Sequence, residues 1–420
     1  MLIEFRAENH RSLRDEQALS MEAASLGDAS DPRPRSVAGH DKPLLTAAAL
    51  YGANASGKSN VLSALFFMRE AVLLSMRVWD AKGGIPRTPF GWGSKPGEPS
   101  TFEVTYIREG TKYQYGFVVD DTLVAEEWLY AWPNGRKQIW FEREGDNFSF
   151  GSSLEGQNEV TKKVTRGNAL FLSVAAQLNQ QQLLPVFEWF RDISPVNVHD
   201  RSARSASELT FAWETLGPTD RLLRELESGH SSNIMHAMLL RLLKEADFGI
   251  VDLRIIEGDE GTSLGASSAR MQLKHQSDDD GSWIDLDEES GGTKALSGMA
   301  VPIFRTLQGG NLLLVDELEA SLHPLLALAI LQLFNNPKSN PRNAQIVFTT
   351  HDTNLLGGIV GDAPLRRDQI WLTEKGKDGG SRLYPLTDYK PRKHENLERG
   401  YLQGRYGSAP FLGDMGSIAR

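Results

Sequence analysis

Residues 51–60 decide the fold, and they read Tyr-Gly-Ala-Asn-Ala-Ser-Gly-Lys-Ser-Asn. The run fits the pattern G-x-x-x-x-G-K-[ST], in which glycines let backbone N–H groups turn inward around phosphate oxygens. Lys58 places a positive charge against the β- and γ-phosphates, and the Ser59 hydroxyl can ligate Mg²⁺. We therefore predict a site for ATP and Mg²⁺ that is built from Gly52, Asn54, Ala55, Ser56, Gly57, Lys58, Ser59 and Asn60.

The sequence on either side of this loop has the patterns of a strand and a helix. The apolar run 44–50 precedes the loop, and apolar residues at helical spacing follow it: Val61, Leu62, Ala64, Leu65, Met68, Val72 and Leu73. A strand, a Gly-rich turn and a helix in this order aim the helix N-terminus at an anion. The alternative, a chance Gly-rich turn, would not require this context.

Composition narrows the class of protein. The 420 residues can form one large domain or two ordinary ones, and they carry a net charge of −10. The absence of cysteine excludes disulfides and thiolate metal sites, and it fits a reducing cytoplasm. We find no signal peptide and no apolar run near the ~18 residues of a membrane span, so we expect a cytoplasmic protein without a membrane partner. The negative charge argues against general DNA coating but leaves a local basic groove open.

Periodicity divides the rest of the chain. Residues 2–9 alternate as a half-buried strand does, and further antiparallel strands are predicted over 101–107, 113–119, 123–132 and 138–143. Helical spacing over 220–247 predicts an insertion, whose apolar stripe we interpret as core packing. The predicted parts are a first lobe over 1–179, a helical insertion over 180–247, a second lobe over 248–360, and a C-terminal hairpin and tail over 361–420.

The second half of the site follows a second apolar strand. Leu312–Val315 is followed by Asp316, which would hold the Mg²⁺ shell, and by Glu317, which would orient the attacking water. A further β-rich run, 345–350, leads into His351. A histidine at a strand end is usually polar surface, but its place after the paired carboxylates favours a role in sensing the γ-phosphate.

A second Gly-rich turn precedes another helix. Ser290, Gly291, Gly292 and Thr293 would expose N–H groups at a positive helix end, which is a second anion site. Pro302 predicts a kink or a restart in this helix. Two such turns are difficult to use on one nucleotide, so we expect the second to face the nucleotide of another copy.

The order of these motifs resembles the ABC-type ATPase heads of the SMC, RecF and OLD-nuclease kind, most closely the compact bacterial AAA-type ATPases without a transporter. The resemblance implies an α/β P-loop NTPase fold of ABC-head type, with an antiparallel β layer and the helical insertion. It also implies that Ser290 and Gly292 contact the partner copy's γ-phosphate and that Ser321 lies on the dimer seam. Such heads use a loop glutamine as a Mg²⁺ ligand, which we place at Gln177.

The C-terminal tail is basic and aromatic. It is either a solvated basic helix or a docking site for protein or nucleic acid, with Arg399 and Arg405 beside Tyr401 and Tyr406. This ending resembles ATPases that occur with small TOPRIM-like, RloB-type proteins in phage-defence loci. Too little chain follows residue 355 for a TOPRIM nuclease, so we expect the effector to be a separate protein.

These observations predict an ATPase that forms a homodimer or larger homo-oligomer around ATP. It would carry out hydrolysis through Glu317, His351 and Lys58 and control a separate nuclease or toxin in defence against phage. Two alternatives stay open. One is a RecF-like DNA-repair ATPase that binds DNA on dimerisation, and the other is a non-hydrolysing scaffold that sequesters a toxin.

Overall fold

A computed structural model of the protein describes residues 1–28, 30–198, 232–246, 249–256, 270–277, 282–357, 363–390 and 395–408. The strands in these ranges are β1 Leu2–Glu8, β2 Gln17–Ser20, β3 Ala47–Gly52, β4 Ser100–Arg108, β5 Thr111–Val119, β6 Val124–Trp132, β7 Gln138–Glu144, β8 Asn147–Phe150, β9 Ser194–Val196, β10 Ile250–Ile256, β11 Arg270–His275, β12 Trp283–Asp285, β13 Leu312–Val315, β14 Gln345–Thr349, β15 Ile370–Lys375 and β16 Ser381–Pro385. The α-helices are α1 Lys58–Leu74, α2 Asn158–Val164, α3 Phe171–Gln177, α4 Leu184–Arg191, α5 Ser232–Glu245, α6 Gly291–Gly309, α7 Pro324–Asn335 and α8 Leu397–Leu402.

The central sheet has the strand order β16-β15-β3-β14-β13-β9. Its inner strands are parallel, and β16 is an antiparallel edge. Strands β3, β13 and β14 are buried along their whole length, as expected for a parallel sheet that is covered on both faces. Because the inner strands are parallel, their carboxyl ends meet at one edge of the sheet.

The predicted antiparallel layer is present as a seven-stranded sheet, in the order β2-β1-β4-β5-β6-β7-β8. Its inner face and one face of the central sheet share a core with α1. Aromatic side chains fill this core, and among them Phe102, Tyr106, Tyr115, Phe117 and Phe141 are fully buried. The layer therefore supports α1, the helix that begins at the Gly-rich loop.

A buried carboxylate joins this layer to α3. Glu127 on β6 accepts hydrogen bonds from the backbone N–H groups of Phe171 (2.7 Å) and Leu172 (3.1 Å), and from the Tyr115 hydroxyl (2.9 Å). Burial raises the pKa of Glu127, and the charge of Arg143 opposes this rise. The first turn of α3 is thus fixed to the β layer by a capping carboxylate.

The structure describes three elements of the predicted helical insertion over 180–247, namely α4, the short strand β9 and α5. After α4, the chain enters β9, which pairs in parallel with β13 and forms the edge of the central sheet. Residues 199–231 lie outside the described ranges. Helix α5 packs on α6 and on β10. Strand β10 belongs to a small antiparallel sheet of order β10-β11-β12. Asp278, Asp279 and Asp280, a run whose sequence favours a solvated hairpin tip over a metal site, also lie outside the described residues.

Helix α6 begins at the second Gly-rich turn and continues through Pro302 without a restart. Gly310, with a φ of 68°, ends it in the left-handed conformation that glycine adopts most easily. Across the described part of the chain, no helix is both long enough and apolar enough to span a membrane.

Candidate nucleotide site

The Gly-rich loop connects β3 to α1 as predicted, and its glycines are required by close contacts. Gly57 has a φ of 107°, and a Cβ atom placed on it would lie 2.2 Å from Ser381 Oγ. A Cβ atom on Gly52 would lie 2.3 Å from Thr373 Oγ1. Asn54 and Ala55, at the tip of the loop, are exposed to solvent. The loop is therefore exposed to solvent at Asn54 and Ala55 and tightly packed where its glycines contact Thr373 and Ser381.

The Lys58 side chain folds back onto this loop. Its Nζ donates to the carbonyl oxygens of Gly52 (2.9 Å) and Ala53 (3.2 Å), and the residue is 6% exposed. Burial lowers the pKa of Lys58 to about 8, against the opposing charges of Asp316, Glu319 and Glu317. The Lys58 ammonium is held by neutral carbonyls, and a charge-assisted bond to a phosphate in this position would be stronger than either of these bonds.

Ser59 and Asp316 meet at the carboxyl edge of the sheet, where magnesium was predicted. The Ser59 hydroxyl donates to Asp316 Oδ1 (2.9 Å), and the buried Thr349 hydroxyl donates to the same oxygen (2.6 Å). Thr349 Oγ1 also accepts the backbone N–H of Glu317 (2.7 Å). A hydroxyl and a carboxylate are oxygen ligands that suit Mg²⁺.

The set of donors suits a metal that arrives with a nucleotide. In the part of the chain that the structure describes, no group of three or more His, Asp or Glu residues could hold a metal ion by itself. Mg²⁺ is typically bound by one or two carboxylates together with substrate phosphates and water. Ser59 and Asp316 would therefore hold Mg²⁺ jointly with the phosphates, which is consistent with the predicted chemistry.

The other predicted catalytic groups lie at the same edge. Glu317 is exposed and has a φ of 57°, so the chain turns sharply directly after Asp316. Glu319 accepts a hydrogen bond from the His351 backbone N–H, which ties the two strand ends together. The pKa of His351 is lowered, first by partial burial of the ring and then by the positive charge of Lys58. The charges of Asp316, Glu317 and Glu319 act on both Lys58 and His351, so these groups lie near one another.

Ser290–Thr293 forms the predicted N-terminal turn of α6 on the protein surface. The Ser290 hydroxyl accepts the Thr293 backbone N–H (3.1 Å), and Ser290 and Gly291 are exposed. Ser321 is exposed and lies beside this turn. Its backbone oxygen is 3.1 Å from the position that a Cβ atom of Gly292 would occupy. The turn and Ser321 therefore share one accessible surface.

The structure does not bring Gln177 to the Ser59–Asp316 pair. Gln177 is the exposed last residue of α3, and that helix starts beside Ser75, at the end of α1 opposite the loop. Among the described contacts, none joins Gln177 to Ser59 or Asp316, so its role stays a prediction. Strand order places the side-chain amide of Asn197 at this edge. Asn197 directly follows Val196, whose carbonyl oxygen accepts the Asp316 N–H (3.0 Å).

Sequence reasoning missed a set of side chains behind the loop. The Ser56 hydroxyl bonds the Thr373 hydroxyl (2.5 Å), and Ser381 Oγ donates to the Ser56 carbonyl (2.6 Å). Asn60 donates to Ser12 Oγ (2.6 Å), and the Ser12 hydroxyl in turn bonds Ser381 Oγ (2.7 Å). These residues connect the loop to the hairpin β15–β16 and to the N-terminal segment. Ser56 and Asn60 belong to the predicted loop, whereas Ser12, Thr373 and Ser381 belong to no site predicted above.

The described end of the tail, residues 395–408, places its two tyrosines differently from the prediction. Tyr401 is 5% exposed and Tyr406 is 4% exposed, so neither ring can be a docking surface or part of a solvated tail. Arg399 and Arg405 are exposed, and Leu402 between them is 63% exposed. The tail therefore packs one side into the molecule and presents only the other side to solvent.

Together these features are those of an α/β P-loop NTPase fold of ABC-head type with an antiparallel β layer. The model of the family described as "AAA domain, putative AbiEii toxin, Type IV TA system" matches residues 47–357, well over half of the chain. No curated protein matches the sequence.

Among solved structures, the chain is similar to an SMC head bound to the C-terminal winged-helix domain of ScpA. That match has 14% identity and a TM-score of 0.45, and it covers 91% of this chain and 96% of the other. The SMC head domain from Thermotoga maritima is 13% identical, with a TM-score of 0.39 and coverages of 91% and 98%. The SMC head from Pyrococcus furiosus, with an extended coiled coil and bound to the C-terminal domain of ScpA, is 13% identical, with a TM-score of 0.44 and coverages of 93% and 97%.

Proposed function

Because the chain belongs to the family of AAA domains described as putative AbiEii toxins of Type IV toxin–antitoxin systems, we propose that it binds and hydrolyses ATP. The observation that carries this proposal is the convergence of four groups at one edge of the sheet. Lys58 and Ser59 come from the loop, Asp316 follows β13, and the hydroxyl of Thr349 holds Asp316 in place. ATP with Mg²⁺ is the ligand class that this combination suits.

In the proposed reaction, each group of the chain has a physical task. Lys58 and the loop N–H groups bind the phosphates, and Ser59 and Asp316 would hold Mg²⁺, which neutralises the charge that develops on them. Glu317, exposed beside Asp316, orients the water that attacks the γ-phosphate. His351 contacts the γ-phosphate from the next strand. Hydrolysis yields ADP and phosphate.

The site is completed by a second copy of the chain. Two observations support this part of the proposal: the N-terminal turn of α6 is exposed, and Ser321 lies directly beside it. Backbone N–H groups at a helix N-terminus attract anions. Ser290 and Gly292 of one copy would therefore cover the γ-phosphate bound by the other copy, with Ser321 at the seam between them.

The dimer would act in the cytoplasm on a separate effector, a TOPRIM-like nuclease or a toxin, in defence against phage. The toxin–antitoxin description of the family supports an effector of this kind. The exposed side of α8, where Leu402 lies between Arg399 and Arg405, offers a small apolar and basic contact surface for it.

Two substitutions test the assignment of the nucleotide site. Glu317→Gln keeps the size of the side chain and removes its charge, so it should abolish phosphate release while ATP affinity stays unchanged. Lys58→Ala should weaken ATP binding measured by calorimetry. Glu144→Gln and Lys338→Ala, which change exposed residues elsewhere, are the matched controls. Unchanged turnover in Glu317→Gln would refute its role, and ATP binding by the native protein without turnover would favour the scaffold.

Mixing two inactive variants tests the shared site. Lys58→Ala retains a functional α6 turn, and Ser290→Arg retains a functional loop but blocks the turn. Neither homodimer should hydrolyse ATP, whereas each mixed dimer contains one complete site, so mixing should restore activity. If mixing restores nothing, the two-copy site is wrong. ATP-dependent binding of the native protein to DNA ends without any partner would favour the DNA-repair alternative.

A further inference from the structure

We propose that the base of the bound nucleotide stacks on the ring of Trp92, and that the turn at residues 376–380 holds this ring in place. The inference rests on the proposed ATPase function and deepens it, because it names the residue that binds the nucleoside part of the substrate. Lys58, Ser59 and Asp316 account for the phosphates and Mg²⁺ but not for the base. Two observations carry the inference: the side of the phosphate loop toward which the base extends, and an exposed indole that is fixed on that side.

The order of the strands gives the direction in which a bound nucleotide extends. Asp316 follows β13 and His351 follows β14, so the groups assigned to Mg²⁺ and the γ-phosphate lie on one side of β3. Strands β15 and β16 lie on the other side of β3. A triphosphate that spans the loop with its γ-phosphate toward Asp316 and His351 therefore carries its nucleoside toward the β15–β16 hairpin.

The β15–β16 hairpin borders the phosphate loop and continues past it. Thr373 on β15 lies opposite Gly52 at the end of β3. Ser381 on β16 donates through its hydroxyl to the Ser56 carbonyl oxygen (2.6 Å). Beyond these contacts the hairpin continues into the turn at residues 376–380. Because β3 and β15 are parallel, this turn lies at the same edge of the sheet as the nucleotide site.

Trp92 packs on this turn and keeps much of its ring in solvent. Its indole Nε1 donates to the Asp378 carbonyl oxygen (2.9 Å), and the ring lies so close to Gly379 that a Cβ atom would not fit there. The ring of Phe90 packs against it with 4.3 Å between centroids. Trp92 is nevertheless 55% exposed. An indole that is fixed by a hydrogen bond and two close contacts, yet is half exposed, offers a preformed aromatic surface to a flat ligand.

The turn beneath the indole is connected to the phosphate loop through the N-terminal segment. The Arg14 guanidinium pairs with the Asp378 carboxylate. The Ser12 hydroxyl bonds Ser381 Oγ (2.7 Å) and also accepts a hydrogen bond from Asn60 (2.6 Å), the residue at the end of the loop. The support of the indole and the end of the loop are therefore joined by side chains that do not bind the phosphates or Mg²⁺.

The first test compares ATP with inorganic triphosphate, which has the phosphates but no base. The loss of one base–aromatic stack should raise the Kd of Trp92→Ala for ATP about 5- to 100-fold in calorimetry with Mg²⁺. The Kd of the same variant for triphosphate should stay within about twofold of the native value, because the phosphate contacts are unchanged. For the same reason the loss should appear in the KM for ATP rather than in kcat at saturating ATP.

Two further tryptophan variants control this test. Trp92→Phe keeps an aromatic ring and should retain most of the affinity for ATP. Trp132→Ala removes a partly exposed indole from β6, in the antiparallel layer, and should change neither Kd. Equal losses of ATP and triphosphate binding in Trp92→Ala, or a fall in kcat as large as the rise in KM, would show a structural role and refute stacking. A loss in Trp92→Phe equal to that in Trp92→Ala would also overturn it.

A pair of glycines gives a second test that keeps the indole. Gly379 has a φ of 80° and Gly135 a φ of 72°, so replacement by alanine strains the two backbones similarly. A Cβ atom on Gly379 would meet the Trp92 ring, whereas one on Gly135 would meet no described atom within 4 Å. Gly379→Ala should therefore raise the Kd for ATP, and Gly135→Ala should leave it unchanged. If the two variants bind ATP equally well, the role of the turn is refuted.

The failures of this inference and of the proposed function can be distinguished. A native protein that binds and hydrolyses ATP, together with an unaffected Trp92→Ala variant, would refute the stacking and leave the ATPase intact. A native protein that binds neither ATP nor triphosphate would remove both. Binding without turnover would refute hydrolysis, and the Kd of Trp92→Ala would still decide the role of the indole.

Discussion

Replacing Thr349 with valine tests whether the carboxylates after β13 are held by the neighbouring strand. Valine has the shape of threonine, so the substitution removes the hydroxyl and little else. In the structure that hydroxyl donates to Asp316 Oδ1 (2.6 Å) and accepts the N–H of Glu317 (2.7 Å). Thr349 is fully buried and both of its bonds are partly buried, so water can replace these bonds only in part.

The expected magnitude follows from these two bonds. A hydrogen bond to a carboxylate contributes about 1.5–3 kcal/mol, one between neutral groups about 1 kcal/mol, and a donor left unpaired inside the protein costs about 1–3 kcal/mol. We therefore expect Thr349→Val to lower the free energy of unfolding by about 2–4 kcal/mol. A misplacement of about 1 Å at a reacting group can cost about 100-fold in rate, so kcat for ATP should fall by about 10- to 100-fold.

Thr349→Ser is the matched control, since serine retains the hydroxyl and loses only a methyl group. Phosphate release at saturating ATP and Mg²⁺ gives kcat, and urea unfolding gives the stability. Thr349→Ser should keep most of the turnover that Thr349→Val loses. If Thr349→Val hydrolysed ATP at the native rate, the hydroxyl would not position Asp316 and Glu317, and the argument from strand geometry would be wrong.

Three further predictions concern the loop, the fold and the metal. Gly57→Ala should abolish ATP binding measured by calorimetry, because its Cβ atom would lie 2.2 Å from Ser381 Oγ at a φ of 107°; binding of native strength would contradict the geometry. Burial raises the pKa of Asp31, but hydrogen bonds from Arg33 and Arg366 outweigh this effect and lower the pKa from 3.8 to about 2. The contribution of Asp31 to the free energy of unfolding is therefore fully present well above pH 3.8 and is lost as the pH falls through 3.8 to 2. Asp31→Asn should therefore cost about 2 kcal/mol in urea unfolding at pH 7, with the difference from the native protein shrinking as pH falls from 4 to 2; a constant difference would disagree. Chelation of Mg²⁺ with EDTA should stop phosphate release, and added Mg²⁺ should restore it; turnover that survives chelation would exclude the metal.

The parts of the site that the sequence predicted are those with a local signal. An apolar run followed by Gly52 and Lys58 predicted β3 and α1, and an apolar run followed by Asp316 predicted β13. A functional residue at the end of a buried strand is easy to recognise in the sequence, because it directly follows the apolar residues of that strand. Parallel strands then bring such ends together, which is why Ser59 and Asp316 meet.

The parts that the sequence did not predict depend on which strands are neighbours. Strand β9 has three residues, too few to show alternation, and it lies inside the region 180–247 that we predicted as a helical insertion. Nothing local indicates that it pairs with β13, so Asn197 was not recognised at the edge of the sheet. Gln177 was chosen as an amide at the start of the helical region, but its position is set by α3, which Glu127 fixes to the β layer.

The tail shows the same limit in another form. Its charged residues suggested a solvated helix, yet α8 has only six residues, which is less than two helical turns and too short for an amphipathic pattern to be recognised. Its burial depends on a small residue within the helix, since a Cβ atom on Gly400 would lie 2.5 Å from the Tyr406 hydroxyl. Glu398, one of the residues that make the tail appear polar in sequence, accepts a hydrogen bond from the Thr353 hydroxyl (3.0 Å), in the segment after His351. A polar atom that finds its partner only in the folded chain cannot be distinguished in sequence from one that faces water, and here that ambiguity concealed a contact to the nucleotide site.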